Sequence, residues 1–264
     1  MGGIIAVLYG AMAYMVFLGA FLYAIAFVGN LAVPKTIDSG EAGALLPSLL
    51  IDVALLGAFA VQHSVMARPE FKRLWTKIVP EAVERTTFVL FASLVLILLY
   101  WLWQPLPGTV WLVEHPLGVT ALWAVFWIGW GLVLVATFLI NHFELFGLRQ
   151  VWARLTGQAL PAPKFKTPGL YKRVRHPIYL GFLLAFWATP EMTQGHLLFA
   201  VATTGYILIG IQLEERDLMR LFGEQYRRYR AEVAMLIPWP GRKVSPAPAE
   251  DWPPLELREP KREA

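Results

Sequence analysis

Apolar positions along this chain fall in long, nearly unbroken blocks rather than on one face of amphipathic elements. Such blocks run from Ile4 to Val28, Leu45 to Val65, Phe88 to Trp103, Leu117 to Ile140 and Leu197 to Leu213. A helix needs roughly 20 apolar residues to cross a hydrocarbon core of about 30 Å, so each block predicts a membrane-spanning helix. A sixth block, Ile178 to Thr189, reaches only about 18 Å at 1.5 Å per residue. It predicts either a thin crossing or the re-entrant half of a helical hairpin that turns between Thr189 and Gly195. Past Leu213 the run EERDLMRLFGEQYRRYR keeps helical spacing, with Leu213, Leu218, Leu221 and Phe222 on one side. That spacing predicts a basic, aromatic amphipathic extension beyond the membrane, supported by Asp217/Arg220 and Glu224/Arg228 pairs. The expected fold is an all-α polytopic membrane bundle of five to six transmembrane segments, ending in a helical hairpin that continues into a cytoplasmic amphipathic helix.

Charge placement fixes the expected topology. All of the 23 Lys and Arg except Lys35 lie in alternate connections between the apolar blocks, or in the C-terminal region. Under the positive-inside rule these are the cytoplasmic connections, which calls for six crossings with both termini inside the cell membrane. Five full crossings would break the alternation, so the charges themselves favour counting the short block. The first block has no basic residues before it and is too long for the core of a signal peptide, so it is expected to persist as the first helix. Tryptophans 101, 103, 111, 123, 127 and 130 gather around the outer ends of the third and fourth blocks, where amphipathic rings favour the headgroup zone.

Composition agrees and narrows the chemistry. At 57% hydrophobic residues and mean hydropathy +0.52, the chain lies outside the range of soluble domains. The net charge of +4 reflects cytoplasmic loops rather than a nucleic-acid surface. The absence of cysteine excludes disulfides, thiolate metal sites and a cysteine nucleophile. One membrane domain is expected over residues 1–238, with the part that binds a cofactor at about 164–232. A proline-rich and unstructured tail follows over 239–264, because such proline density forbids helix.

Two motifs stand out. In Arg175-His176-Pro177-Ile178-Tyr179-Leu180-Gly181 the proline suits the first helical position. The amides of Ile178, Tyr179 and Leu180 then offer an anion site at a helix start. Arg175 adds a forked donor, and Gly181 permits close approach by a ligand or a neighbouring helix. A capped helix with a basic interface anchor would use the same residues. The second motif, Glu214-Glu215-Arg216, puts two acids at the end of an apolar helix, against the dipole that prefers cations there. Their compensation is Arg216, Arg175 or a bound cation. An antiparallel hairpin would bring both motifs to one membrane face.

These residues carry a family resemblance. The run Gly169-Leu170-Tyr171, then VRHPIYLG, then EER beyond an apolar hairpin, resembles the isoprenylcysteine carboxyl methyltransferase and phospholipid methyltransferase superfamily of integral membrane enzymes. The match covers roughly 167–229. The segments AVQHSVMARPEFKRLW, ERTTFVLFASL and INHFELFGLRQVW extend it over most of the chain and look like the superfamily branch that converts methanethiol to dimethyl sulfide. Membrane proteins associated with denitrification share part of that front-half character. The resemblance implies S-adenosyl-L-methionine as methyl donor, held by Gly169, Leu170, Tyr171, His176, Pro177, Tyr179, Gly181, Glu214 and Glu215, and no metal.

The implied chemistry is direct in-line transfer to a small thiol at a cytoplasm-facing site, with the lipid bilayer as surroundings and no nucleic acid or second copy required. A thiol with a reference pKa of about 8.5 is only slightly ionised near neutral pH, so a neutral His142 or His176 is expected to take its proton. Arg175 is expected to orient either the acceptor or the cofactor carboxylate. His63, Asn141, Phe143 and Glu144 are the expected lining of the acceptor site. Bland readings accompany these: backbone bonding for His142, an Arg149 ion pair for Glu144 and a buried polar bridge for His63. A metal or haem site built from His63, His142 and His176 is the competing reading from another class. A prenylcysteine carboxylate or lipid amine is the competing acceptor.

Overall fold

The structure, a computed structural model, describes residues 2–238. The expected proline-rich tail over 239–264 lies outside the described residues. Five helices are long and apolar enough to cross a membrane: α1 Gly3–Val28, α2 Leu45–Ala67, α4 Glu81–Leu102, α5 Pro116–Ile140 and α9 Gln194–Phe222. Shorter helices interleave with them: α3 Pro69–Trp75, α6 His142–Leu145, α7 Leu148–Thr156, α8 Pro177–Trp187 and α10 Glu224–Glu232, with a single 3-10 turn at Gly169–Lys172. The fold is the expected polytopic helical bundle.

The hydropathy blocks underestimate several helices, because apolar length measures immersion and a helix continues past it. Thus α4 begins seven residues before the apolar block at Phe88, with Glu81 and Glu84 in its first turn, where acids complement the dipole. Similarly, α9 runs beyond Leu213 to Phe222, and Gly223 breaks it from α10 at φ 55°. The amphipathic extension is therefore real but bent. Its Asp217/Arg220 and Glu224/Arg228 pairs lie at 3.6 and 3.7 Å.

A buried aromatic core joins the helices at one end. Phe27, Leu99, Tyr100, Trp103, Phe126, Trp130, Phe186 and Phe199 pack in one cluster contributed by α1, α4, α5, α8 and α9 and the residue just past α4. Trp103 is fully buried and donates its indole N–H to the Ile37 carbonyl at 3.0 Å, so this tryptophan is core rather than an interfacial anchor. Trp130 is buried too. The expected aromatic belt is therefore divided between core and surface.

The short block forms α8, only 11 residues long. At 1.5 Å per residue it covers about 17 Å, half of a bilayer core. It nevertheless connects the two ends of the bundle. Its start is tied to Glu215 on α9, whereas the chain after it forms β2, Glu191–Thr193, paired antiparallel with β1, Thr109–Leu112, in the α4–α5 connection. Residues 188–190 carry the chain from α8 to β2 without helix. Their exposed backbone needs internal partners at such a depth. The Phe186 carbonyl is bonded to His196 Nε2 at 2.9 Å, Thr189 O accepts from the Trp111 indole at 3.2 Å, and Pro190 O accepts from the Val113 amide at 2.9 Å. His196 is thus the side chain that meets the carbonyl of Phe186 where the half-length helix ends inside the bundle.

Packing of α8 onto α5 depends on two glycines. A Cβ at Gly129 would meet the Gly181 carbonyl oxygen at 2.7 Å, and one at Gly181 would meet the Gly129 carbonyl oxygen at 2.6 Å. The motif glycine therefore serves the helix–helix approach, the second of its two expected uses.

Candidate functional site

At the end of the bundle opposite the β ribbon, a cavity of about 1230 Å³ opens between the start of α4, the α5–α7 region, the loop 158–166 and the paired helices α9 and α10. The two sequence motifs meet on its wall. Pro177 occupies the first position of α8, and His176 precedes it as the helix cap. Leu180 N donates to His176 O at 3.0 Å, so the Leu180 amide belongs to the helix ladder. The expected anion site shrinks to the amides of Ile178 and Tyr179, the two that have no carbonyl four residues back within the helix.

The two acids have different environments. Glu215 is buried, and both its carboxylate oxygens are engaged: Oε1 accepts from Arg175 Nε at 2.8 Å and pairs with His176 Nε2 at 3.1 Å, while Oε2 meets Arg230 Nε at 2.9 Å. It does not line the cavity. Glu214 does, with its side chain 44% exposed and Oε2 accepting from the Tyr179 hydroxyl at 2.9 Å. No Lys or Arg pairs with Glu214 among the described residues; its nearest basic nitrogen is His176 Nδ1 at 3.8 Å.

Arg175 is committed to the scaffold. Besides Glu215 it donates Nη1 to the Arg230 carbonyl at 3.0 Å and to the Val233 carbonyl. The backbone reinforces this clamp. Val174 bridges Ala234 in parallel, Arg175 N donates to Ala234 O at 2.8 Å and His176 N to Met235 O at 3.2 Å. The segment after α10 thus returns to lie beside the motif, a strap that no periodicity in the sequence announces.

His176 is buried, and its tautomer follows from its partners. A carboxylate only accepts hydrogen bonds, so the Nε2 that faces Glu215 carries the proton of a neutral ring. Nδ1 is then the lone-pair nitrogen, turned toward Glu214 beside the cavity.

His142 is placed differently from the expectation. It does not line the cavity, is 5% exposed, and stacks on Phe138 with ring centroids 4.2 Å apart. The Thr137 hydroxyl donates its one proton to the Leu134 carbonyl at 2.7 Å, so it accepts from His142 Nδ1 at 2.9 Å. Nε2 then accepts from the Tyr14 hydroxyl at 2.8 Å. Both ring nitrogens are occupied, and burial lowers the imidazole pKa from its ordinary value. This is a neutral structural histidine whose partners are side chains rather than backbone.

The remaining candidates divide as follows. Asn141 and Glu144 line the cavity; Asn141 Nδ2 donates to Glu144 Oε2 at 2.5 Å, and Arg149 pairs with the same oxygen at 2.7 Å. Asn141 has φ 153°, and this break between α5 and α6 turns His142 inward and Glu144 toward the cavity. Phe143 is exposed on the outer surface, away from the cavity. His63 packs among Phe59, Phe88 and Tyr206, with Nδ1 buried and unbonded. Among the described residues no three His, Asp or Glu side chains form a metal-holding group, so the three histidines do not converge as the metal reading requires. Tyr171 reaches the cavity; its hydroxyl donates to Ala136 O at 3.4 Å, and its carbonyl accepts from Tyr229 at 2.6 Å. Burial chiefly, with the Glu214 charge behind it, raises the Tyr171 pKa. Gly169, beneath Leu139, and Leu170 stay behind the wall.

Comparison with known proteins bears on the same residues. The chain is 56% identical over 236 residues to the methanethiol S-methyltransferase of Mycobacterium tuberculosis, covering 89% of this chain and 97% of the relative. It is 58% identical over 235 residues to methanethiol S-methyltransferase 1 of Bradyrhizobium diazoefficiens, covering 89% and 82%. A more distant similarity, 29% over 188 residues, links it to nurim of Xenopus laevis, covering 68% and 65%. No family model and no solved structure matches. With more than half of the aligned residues identical along nearly the whole of the Mycobacterium protein, the chain belongs to the methanethiol S-methyltransferase family.

Proposed function

We propose that this membrane protein transfers a methyl group from S-adenosyl-L-methionine to methanethiol, yielding dimethyl sulfide, at the cavity where the Arg175-His176 corner meets Glu214. The observation that carries the reading is the state of Glu214. It is a carboxylate that pairs with no Lys or Arg among the described residues, held by Tyr179 beside a space large enough for a nucleoside. A cavity with such a wall suits a ligand that brings its own positive charge. The family membership supplies the acceptor.

S-adenosyl-L-methionine would supply an electrophilic methyl on a sulfonium. Glu214 and Tyr171 would hold the donor, with Tyr179 fixing Glu214 from behind the wall, while the Glu215–Arg175 clamp fixes the positions of His176 and the strap. The chain's own task is alignment, which requires the acceptor sulfur about 3 to 3.5 Å from the methyl carbon and in line with the leaving sulfur. No covalent enzyme intermediate enters, in keeping with a chain that lacks cysteine. His176 Nδ1, with its tautomer set by Glu215, accepts the thiol proton, and the two flanking glutamates stabilise the imidazolium that forms. The alternation of basic connections supports a site that faces the cytoplasm at the cell membrane.

The decisive experiment incubates purified protein with isotope-labelled S-adenosyl-L-methionine and, separately, methanethiol, a prenylcysteine or phosphatidylethanolamine. Labelled dimethyl sulfide in the headspace of the first reaction alone is the expected result. Label in prenylcysteine ester or methylated lipid instead would move the chain to another acceptor, and no transfer at all would remove the proposal.

A further inference from the structure

Of the cavity-wall cations that close no ion pair among the described residues, Arg154, Lys164 and Lys166 are exposed, whereas Lys72 and Arg85 are half-buried. Arg85, on the first turns of α4, donates Nε to the Leu145 carbonyl at 2.8 Å and sits with its guanidinium carbon 5.1 Å from the centroid of Phe88. Its terminal nitrogens bond no described residue, and no carboxylate lies within ion-pair distance. Lys72 on α3 is half-buried on the same wall, with its ammonium unbonded among the described residues. Burial first, and the Arg85 charge second, hold Lys72 below the ordinary lysine range. Glu84, Glu214 and Glu144 act on Arg85 through space without closing on it.

Most unpaired surface cations are simply solvated. Arg85 differs in being pinned, by its Nε bond on one side and an aromatic face on the other, so that the free edge of its fork is held toward the cavity. Two like charges on a partly desolvated wall repel one another in the free protein, and a bound anion removes that repulsion. Arg175, the cation that the motif offered for this purpose, is spent on Glu215 and the strap carbonyls.

We infer that Lys72 and Arg85 form the receptor for the carboxylate of the methyl donor, with Glu214 facing its cationic part. This rests on the donor reading above. A zwitterionic ligand fits a wall where the half-buried Lys72 and Arg85 share one cavity with Glu214 and Glu84, none of the four closing an ion pair with Lys, Arg, Asp or Glu among the described residues; a simple cation or a simple anion satisfies only one sign of charge. The planar Arg85 fork suits bidentate contact with a carboxylate, and Lys72 adds a point charge.

The test is calorimetric binding of two ligands to purified protein: S-adenosyl-L-methionine and its decarboxylated analogue. Lys72→Gln and Arg85→Gln are each expected to weaken the first ligand about tenfold or more, the range for a lost charge-assisted bond. Both variants should leave affinity for the decarboxylated ligand, already weak in the parent protein, unchanged. Lys72 makes no bond that the fold depends on, and Arg85→Lys retains the charge, so both keep the test readable if Arg85→Gln is poorly folded. Equal losses for the two ligands would overturn the inference. So would unchanged donor affinity with a raised KM for methanethiol, which would assign the cations to the thiolate. A parent protein that binds neither ligand would instead defeat the donor reading on which the inference stands.

Discussion

Replacing Glu215 by Gln separates scaffold from ligand site more sharply than any other single change. The side chain is 5% exposed, and its neighbours Arg175 and His176 are 8% and 4% exposed, so little solvent screens the loss of charge. An amide keeps the shape but leaves the Arg175 guanidinium facing a neutral group in the interior. Breaking a buried pair from one side in this way costs about 3 to 5 kcal/mol. The Arg230 contact, with that arginine 49% exposed, adds no more than about 1 kcal/mol. Because Arg175 also holds the strap carbonyls of Arg230 and Val233, the loss should loosen the strap and the His176 cap together. Glu214→Gln provides the contrast. Its side chain is half exposed and an amide oxygen still accepts from Tyr179, so stability should stay within about 0.5 kcal/mol of the parent. Its donor affinity should fall by about 1 to 3 kcal/mol through the lost charge. The assay pairs denaturant or thermal unfolding in detergent, followed by tryptophan fluorescence, with calorimetric titration of the donor. A Glu215→Gln protein as stable as the parent but unable to bind donor would refute the division of labour between the two acids.

Other consequences are equally direct. His142 favours its neutral form in the fold, with a pKa below the unfolded value of about 6.5. Its contribution to stability is therefore complete above that value and declines as pH falls and the unfolded chain takes up the proton first. Melting temperature should drop between about pH 7 and pH 5, and less so in His142→Gln; a steeper drop in the variant would contradict this. Gly129→Ala and Gly181→Ala each push a Cβ into the facing carbonyl oxygen and should destabilise the protein by about 1 to 3 kcal/mol through separation of α5 and α8, read by unfolding in detergent. His196→Ala strands the Phe186 carbonyl in the interior, an expected loss of about 1 to 3 kcal/mol measured by unfolding with donor affinity retained. His176→Gln removes the lone-pair nitrogen beside Glu214 and should lower kcat about 100-fold or more while donor affinity is kept; an unchanged kcat would return the proton to solvent.

How much of this was legible in the chain depends on the range of the interaction. The five long helices follow from apolar block length, because hydrocarbon thickness is one external constant acting on every segment alike. The meeting of the two motifs was legible for a related reason: an antiparallel hairpin forces residues at its open ends together, and His176 and Glu215 do lie 3.1 Å apart. Composition and spacing could not separate Glu214 from Glu215. Adjacent positions on a helix point about 100° apart, and which one meets Arg175 depends on the rotation of α9 against α8, set by core packing distributed over Phe186, Phe199 and their neighbours. The strap from Val233 to Met235 was invisible because it pairs through backbone atoms, which every residue owns and no side-chain pattern marks. His142 was read as chemistry because a histidine at a helix end is reactive in isolation, and what occupies its Nε2 is Tyr14, 128 positions away in sequence. Arg85 carries no signal in the sequence for the converse reason, since its significance lies in having no ion-pair partner among the described residues. A sequence names the donors and acceptors; which of them are left over after folding is a property of the whole structure, and here the half-buried remainder on the cavity wall, with Glu214 opposite Lys72 and Arg85, is what the proposed zwitterionic ligand would satisfy.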